Sequence, residues 1–70
     1  MNSKLLKSQI VLNRHTLVEV ASYLEISRSA LYRKMSGESD FTRKEVLKLK
    51  SLLKLSNDQV MGIFFNEEVS

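Results

Sequence analysis

No cysteine occurs in these 70 residues, which removes disulfides and thiolate metal ligands and suits a reducing compartment. Proline is absent and glycine occurs only twice, so little of the chain has the composition of coil. No apolar run approaches the roughly 18 residues that a membrane span needs, and no signal-peptide pattern opens the chain; the expectation is a cytoplasmic protein with no membrane association. A glycine-rich phosphate loop and a His–carboxylate cluster are both missing, and the chain is too short to enclose a deep pocket. Neither an enzyme nor a bound cofactor or small-molecule substrate is expected. His15 stands alone before a helix cap and reads as a surface histidine, with no partner for a metal. This length allows one domain with a modest core.

What the chain does have is an uneven charge. All eleven Lys and Arg lie in residues 1–54 beside five acids, a balance of +6, whereas residues 55–70 hold three acids and no base, a balance of −3. A basic body with an acidic tail points to a polyanionic partner.

Helix starts organise the rest. A Ser or Thr hydroxyl that caps a helix, with Glu or Gln three residues later, satisfies orphan backbone N–H groups from both directions. Thr16/Glu19, Thr42/Glu45 and Ser56/Gln59 have this spacing, each ahead of an apolar periodic run, and Ser27 adds a simpler cap. With an opening run from Ser3 to Asn13, the pattern predicts five helices near 3–13, 17–24, 28–36, 43–54 and 57–65. No β alternation competes. The predicted fold is a compact all-α domain over residues 1–66, followed by a short acidic tail, 67–70.

The stretch TLVEVASYLEISRSALYRKMSG, Thr16–Gly37, packs two short helices around a tight corner. The second is amphipathic and basic on its outer side, which is the helix-turn-helix arrangement. Here the sequence resembles the phage Cro/cI repressor (XRE-like) helix-turn-helix family, whose members read T-Q-x-E-L-A-x-x-L-G-V-S-x-x-x-I-S-x-x-E-x-G. Thr16, Glu19, Val20, Ala21, Leu24, Ile26, Ser27, Leu31 and Gly37 match it in type and spacing. The resemblance implies a five-helix, lambda-repressor-like domain. Ala21 is small where two helices cross closely, Val20, Leu24, Ile26 and Leu31 fill the wedge between them, and Gly37 can take a positive φ at a helix end.

The departures from the family pattern are specific. Glu25 replaces glycine in the corner, at a cost of roughly 1 kcal/mol if the residue is left-handed. Leu17 replaces a glutamine that in the family reaches a DNA phosphate. Lys34 occupies a position that is often apolar. An Arg–Glu pair that many relatives bury between the first and third helices is replaced by Ile10 and Met35, a joint change that leaves no charge uncompensated.

Arg28, Ser29, Tyr32 and Arg33 are the candidate base-reading residues, because the planar guanidinium fork matches the two major-groove acceptors of guanine. A plain solvated helix face is the competing reading. Ser27, Ser36 and the backbone N–H groups of Thr16 and Leu17 are candidate phosphate donors, since helix N-termini favour anions. Arg43 follows the fourth cap, where relatives place a basic residue against the DNA backbone or minor groove. In KEVLKLKSLLKL, Val46, Leu49 and Leu53 form a core stripe with Lys44, Lys48, Lys50 and Lys54 on solvated sides. In the last helix Val60, Ile63 and Phe64 share the docking face, while Met61 and Phe65 lie off it and are candidates for a dimer interface. The resemblance implies a homodimer that represses by occluding RNA polymerase at a palindromic operator in double-stranded DNA. An antirepressor, which keeps the fold but masks a partner repressor protein, is the alternative from another functional class.

Overall fold

Five helices account for most of the chain, and each is started by a side chain that caps it. In this computed structural model, which describes residues 1–65, they are α1 (Ser3–Leu12), α2 (Leu17–Leu24), α3 (Arg28–Met35), α4 (Arg43–Leu52) and α5 (Asn57–Phe64). No strand occurs among the described residues. The proposed tail, 67–70, lies outside them.

All three predicted capping boxes form. Thr16, Thr42 and Ser56 accept from the N–H groups of Glu19, Glu45 and Gln59 at 3.2, 3.1 and 3.1 Å. Their own N–H groups donate back to the same side chains at 2.8, 2.9 and 2.8 Å. Ser27 caps α3 through the N–H of Ala30. Asn2 caps α1 through the N–H of Leu5, a start that the sequence pattern did not mark. Loss of one such cap costs about 1 kcal/mol.

α1, α3, α4 and α5 end one or two residues earlier than the periodicity predicts, while α2 ends at Leu24 as predicted. Arg14, Glu25, Gly37 and Lys54 take φ values of 61, 60, 91 and 54°, and these left-handed residues stop α1, α2, α3 and α4. The residue after each folds its N–H back into the helix: His15 to the Ile10 carbonyl, Ile26 to Ala21, Glu38 to Arg33 and Leu55 to Lys50, all at 2.9–3.0 Å. This is the Schellman closure, normally favoured by glycine at the left-handed position. One of the four is glycine; the other three carry a steric cost of order 1 kcal/mol each. At two of these corners the following residue is apolar. Leu55 is buried and Ile26 packs against the core, which offsets the strain.

The core collects Leu6 and Ile10 of α1, Val20, Ala21 and Leu24 of α2, Leu31 and Met35 of α3, Leu49 of α4, Ile63 of α5, and Leu53 and Leu55 beyond α4. Burial of each such aliphatic chain is worth roughly 1.5–3 kcal/mol. α2 contacts α3 and α4, and α5 contacts α1 and α4. The Asn2 N–H donates to the Ile63 carbonyl at 2.7 Å, tying the start of α1 to α5. The rings of Phe41 and Phe64 meet edge to face at 5.7 Å, which anchors the α3–α4 loop on α5.

A largely buried ion pair crosses this architecture. Lys34, near the end of α3, pairs with Glu45 in the first turn of α4 at 2.8 Å, with side chains only 15% and 13% exposed. The Lys34 ammonium also donates to the Asp40 carbonyl at 3.2 Å and lies 5.8 Å from the Phe41 ring centroid. The same Glu45 oxygen closes the α4 capping box. Burial alone pushes the Glu45 carboxyl up, but the Lys34 hydrogen bond and charge together with the Thr42 bonds outweigh it, and the net direction is down.

Candidate nucleic-acid interface

The corner between α2 and α3 is three residues long. Glu25 turns left-handed, Ile26 folds inward onto the core, and Ser27 caps α3 at once. Its brevity fixes how α3 leaves α2, while Leu31 and Met35 pin one side of α3 to the core. The other side is thereby committed to solvent. At ~100° per residue, Arg28, Ser29, Tyr32 and Arg33 fall within one arc of ~140°, and all four are exposed.

No ion pair among the described residues uses up that arc. Among the described residues neither Arg28 nor Arg33 has a carboxylate partner within ion-pair distance, and α3 contains no acid. The nearest acids along the chain are Glu25 before the helix, and Glu38 and Asp40 after it, all exposed. Glu25 lies 3.7 Å from Lys48.

The candidate phosphate donors divide. The Leu17 N–H is at the first position of α2, where no intrahelical acceptor exists. The Thr16 N–H, proposed as a donor from sequence, is instead taken by the Glu19 carboxylate. Its box spends the donor that a phosphate would have used. The Ser36 hydroxyl likewise donates to the Arg33 carbonyl at 3.0 Å, and the Ser27 oxygen accepts from Ala30, which leaves the Ser27 hydroxyl proton free to donate. Arg43 is exposed at the start of α4 and forms part of an open 580 Å³ groove with Tyr23, Lys44, Leu47 and Lys48.

The last two candidates, Met61 and Phe65, are 57% and 55% exposed, but Val11 and Leu12 of α1 are more so, at 65% and 70%. Apolar exposure therefore is not confined to α5. Of the four lysines placed on solvated sides of α4 and its end, Lys44 and Lys54 are exposed, whereas Lys48 and Lys50 are half-buried. Lys48 donates to the Tyr23 carbonyl and Lys50 to the Asn57 side chain. His15 lies 3.8 Å from Glu19. Among the described residues no group of three acids or histidines is placed to hold a metal ion, and no helix is long and apolar enough to cross a membrane.

Sequence reasoning missed two features here. The Lys34–Glu45 pair joins residues eleven apart across a loop, and no local spacing rule reaches that far. Lys4 and Lys7 of α1 share a cleft wall with Tyr32 of α3, although α1 carried no functional signal of its own. Comparison of the chain with protein-family models, with curated proteins and with solved structures finds no match in any of the three.

Proposed function

We propose that this protein is a sequence-specific DNA-binding regulator in which α2 and α3 act as a helix-turn-helix and α3 enters the major groove. The observation that carries this reading is the outward arc of α3. Two arginines that have no ion-pair partner among the described residues, one hydroxyl and one phenol stand exposed there, beside a corner of only three residues. Arg28 and Arg33 address base edges, with Ser29 and Tyr32 meeting a base or a phosphate, while the Leu17 N–H, Ser27 and Arg43 hold the backbone. One copy offers a single α3, whereas a palindromic operator presents two successive major-groove sites ~34 Å apart. Two copies, joined through the exposed Met61 and Phe65, would supply one α3 to each half-site of a palindromic operator and block polymerase there.

The exposed acids that flank α3, Glu38 and Asp40, together with the occupied Thr16 N–H, favour a second reading: an antirepressor whose α3 face covers a partner repressor. Selection of bound sequences from random duplex DNA, followed by titration at several salt concentrations, separates the two. Under the first reading affinity falls steeply and linearly with log salt. Arg28→Ala or Arg33→Ala then costs roughly 1–3 kcal/mol on the preferred duplex and relaxes choice at one position per half-site, whereas Arg43→Ala weakens all duplexes equally. An intact protein with no salt-dependent DNA binding refutes it.

A further inference from the structure

α1 bears on the same face as α3. A cleft of 350 Å³ lies between them, and its walls include Lys4 and Lys7 of α1, Leu17 at the start of α2, and Tyr32 and Ser36 of α3. Tyr32 belongs to both surfaces: it lines this cleft and is 54% exposed on the outward arc of α3. Lys4 and Lys7 are three apart on one helix, so they project on the same side. Both are exposed, and among the described residues neither has a carboxylate within ion-pair distance. Among the described residues no acid lines the cleft. The closest one in sequence to its α2 wall, Glu19, is turned to the Thr16 N–H and His15.

We infer that Lys4 and Lys7 form a phosphodiester-binding site that grips the nucleic-acid backbone beside the groove occupied by α3. The inference rests on the reading of α3 as a DNA-facing helix and extends it to an element that the helix-turn-helix does not include. Leu17 offers the cleft no side-chain donor, and the Ser36 hydroxyl is spent on the Arg33 carbonyl, so the cations of the cleft are the two lysines. Their chemistry suits the role. An ammonium is a compact charge on a flexible stem, good at following phosphate oxygens and poor at planar discrimination between bases. The stems can lie along the apolar wall that Leu17 and Met35 provide. The site therefore adds affinity without sequence preference.

The test compares wild-type protein, Lys4→Gln/Lys7→Gln, Lys4→Arg/Lys7→Arg and Lys54→Gln, the last an exposed lysine that does not line this cleft. Each is titrated with the selected duplex and with a scrambled duplex across a salt series, with circular dichroism as the check on folding. The double glutamine variant is expected to lower the slope of log affinity against log salt by about 0.9 for each phosphate that is no longer neutralised. It should weaken both duplexes by the same factor and leave the preferred sequence unchanged, while the double arginine variant restores the slope and Lys54→Gln keeps it. An unchanged slope in the double glutamine variant, an altered sequence preference, or an equal loss in Lys54→Gln overturns the inference while leaving the reading of α3 in place. Loss of slope in that variant without any effect of Arg28→Ala and Arg33→Ala sustains the phosphate site and refutes base reading by α3. Absence of DNA binding by the wild type overturns both.

Discussion

Replacement of Glu45 by Gln removes one charge from a place where another is nearly enclosed. Gln retains the oxygen that accepts the Thr42 N–H, so the capping box survives, and what changes is the counter-charge of Lys34. That side chain is 15% exposed. A fully buried unpaired charge costs about 3–5 kcal/mol, but Lys34 keeps the Asp40 carbonyl and the Phe41 ring, and its long stem can carry the ammonium toward water. The expected loss is therefore about 1–3 kcal/mol. Lys34→Met/Glu45→Gln leaves no charge behind and should recover most of this, which gives a coupling of about 1–2 kcal/mol in a double-mutant cycle. A domain of this size has roughly 3–10 kcal/mol of stability in all, and each kcal/mol shifts its Tm by about 4–8 °C, so the effect is easily measured by urea and thermal unfolding. The pH dependence follows from the depressed Glu45 carboxyl. A lowered folded pKa contributes stability that is present above the ordinary value of 4.5 and lost as pH falls through the lowered one. The coupling should be full at pH 7 and fade only below that ordinary value. A coupling under about 0.5 kcal/mol at neutral pH, or one that persists unchanged in strong acid, refutes the claim that the pair holds α3 to α4.

Glu25→Gly relieves a left-handed side chain at the α2–α3 corner and gives up only a 3.7 Å approach of an exposed carboxylate to Lys48; stability should rise by about 0.5–1 kcal/mol, and a fall in the urea midpoint contradicts it. Ile10→Arg buries an unpaired charge at a site 1% exposed and should cost several kcal/mol, while Ile10→Arg/Met35→Glu should recover part of that loss; a double variant no better than the sum of the singles disproves the proximity of the two side chains. Phe65→Glu should give a folded monomer by sedimentation and circular dichroism, since Phe65 is 55% exposed; a well-folded dimer, or an unfolded chain, rules out its place in a partner interface.

The sequence made the helix starts legible because a cap is a local event. Thr16, Ser27, Thr42 and Ser56 sit within three residues of every group they satisfy, and each forms as its spacing predicts. The core stripes of α2, α4 and α5 were equally readable from periodicity. Helix ends were less so, since Arg14 and Lys54 adopt a conformation that their chemistry does not favour. The apolar residue that follows Lys54, Leu55, draws the chain inward, and that preference belongs to the packed state. The outward face of α3 was legible for the same reason as the core: its exposure is the complement of Leu31 and Met35. What the face binds is a separate matter, because an exposed Arg28 has the same local pattern on a reading helix as on a solvated one.

Two of the chain's departures from the repressor pattern find a joint explanation in the Lys34–Glu45 pair. With Ile10 and Met35 both in the core, α1 and α3 share no ion pair, so no charge geometry there fixes the roll of α3. Lys34, at an often apolar position, supplies a polar constraint from the opposite quarter by fastening the C-terminal end of α3 to the first turn of α4. The constraint uses a side chain that points away from solvent, and an acid already committed to capping α4. Among the described residues the side chains of Arg28, Tyr32 and Arg33 enter no ion pair, and the helix that presents them is held at both ends: by the Ser27 corner at its start and by Lys34 at its finish. A groove-reading helix needs that rigidity, since a side chain that must meet a base edge gains little from a charge whose position wanders. If α3 reads sequence as proposed, the pair is a condition for that reading, and Lys34→Met/Glu45→Gln, stable though it should be, is expected to bind the selected duplex less selectively than wild type in the same titrations. Selectivity equal to wild type in that variant would show that packing alone orients α3.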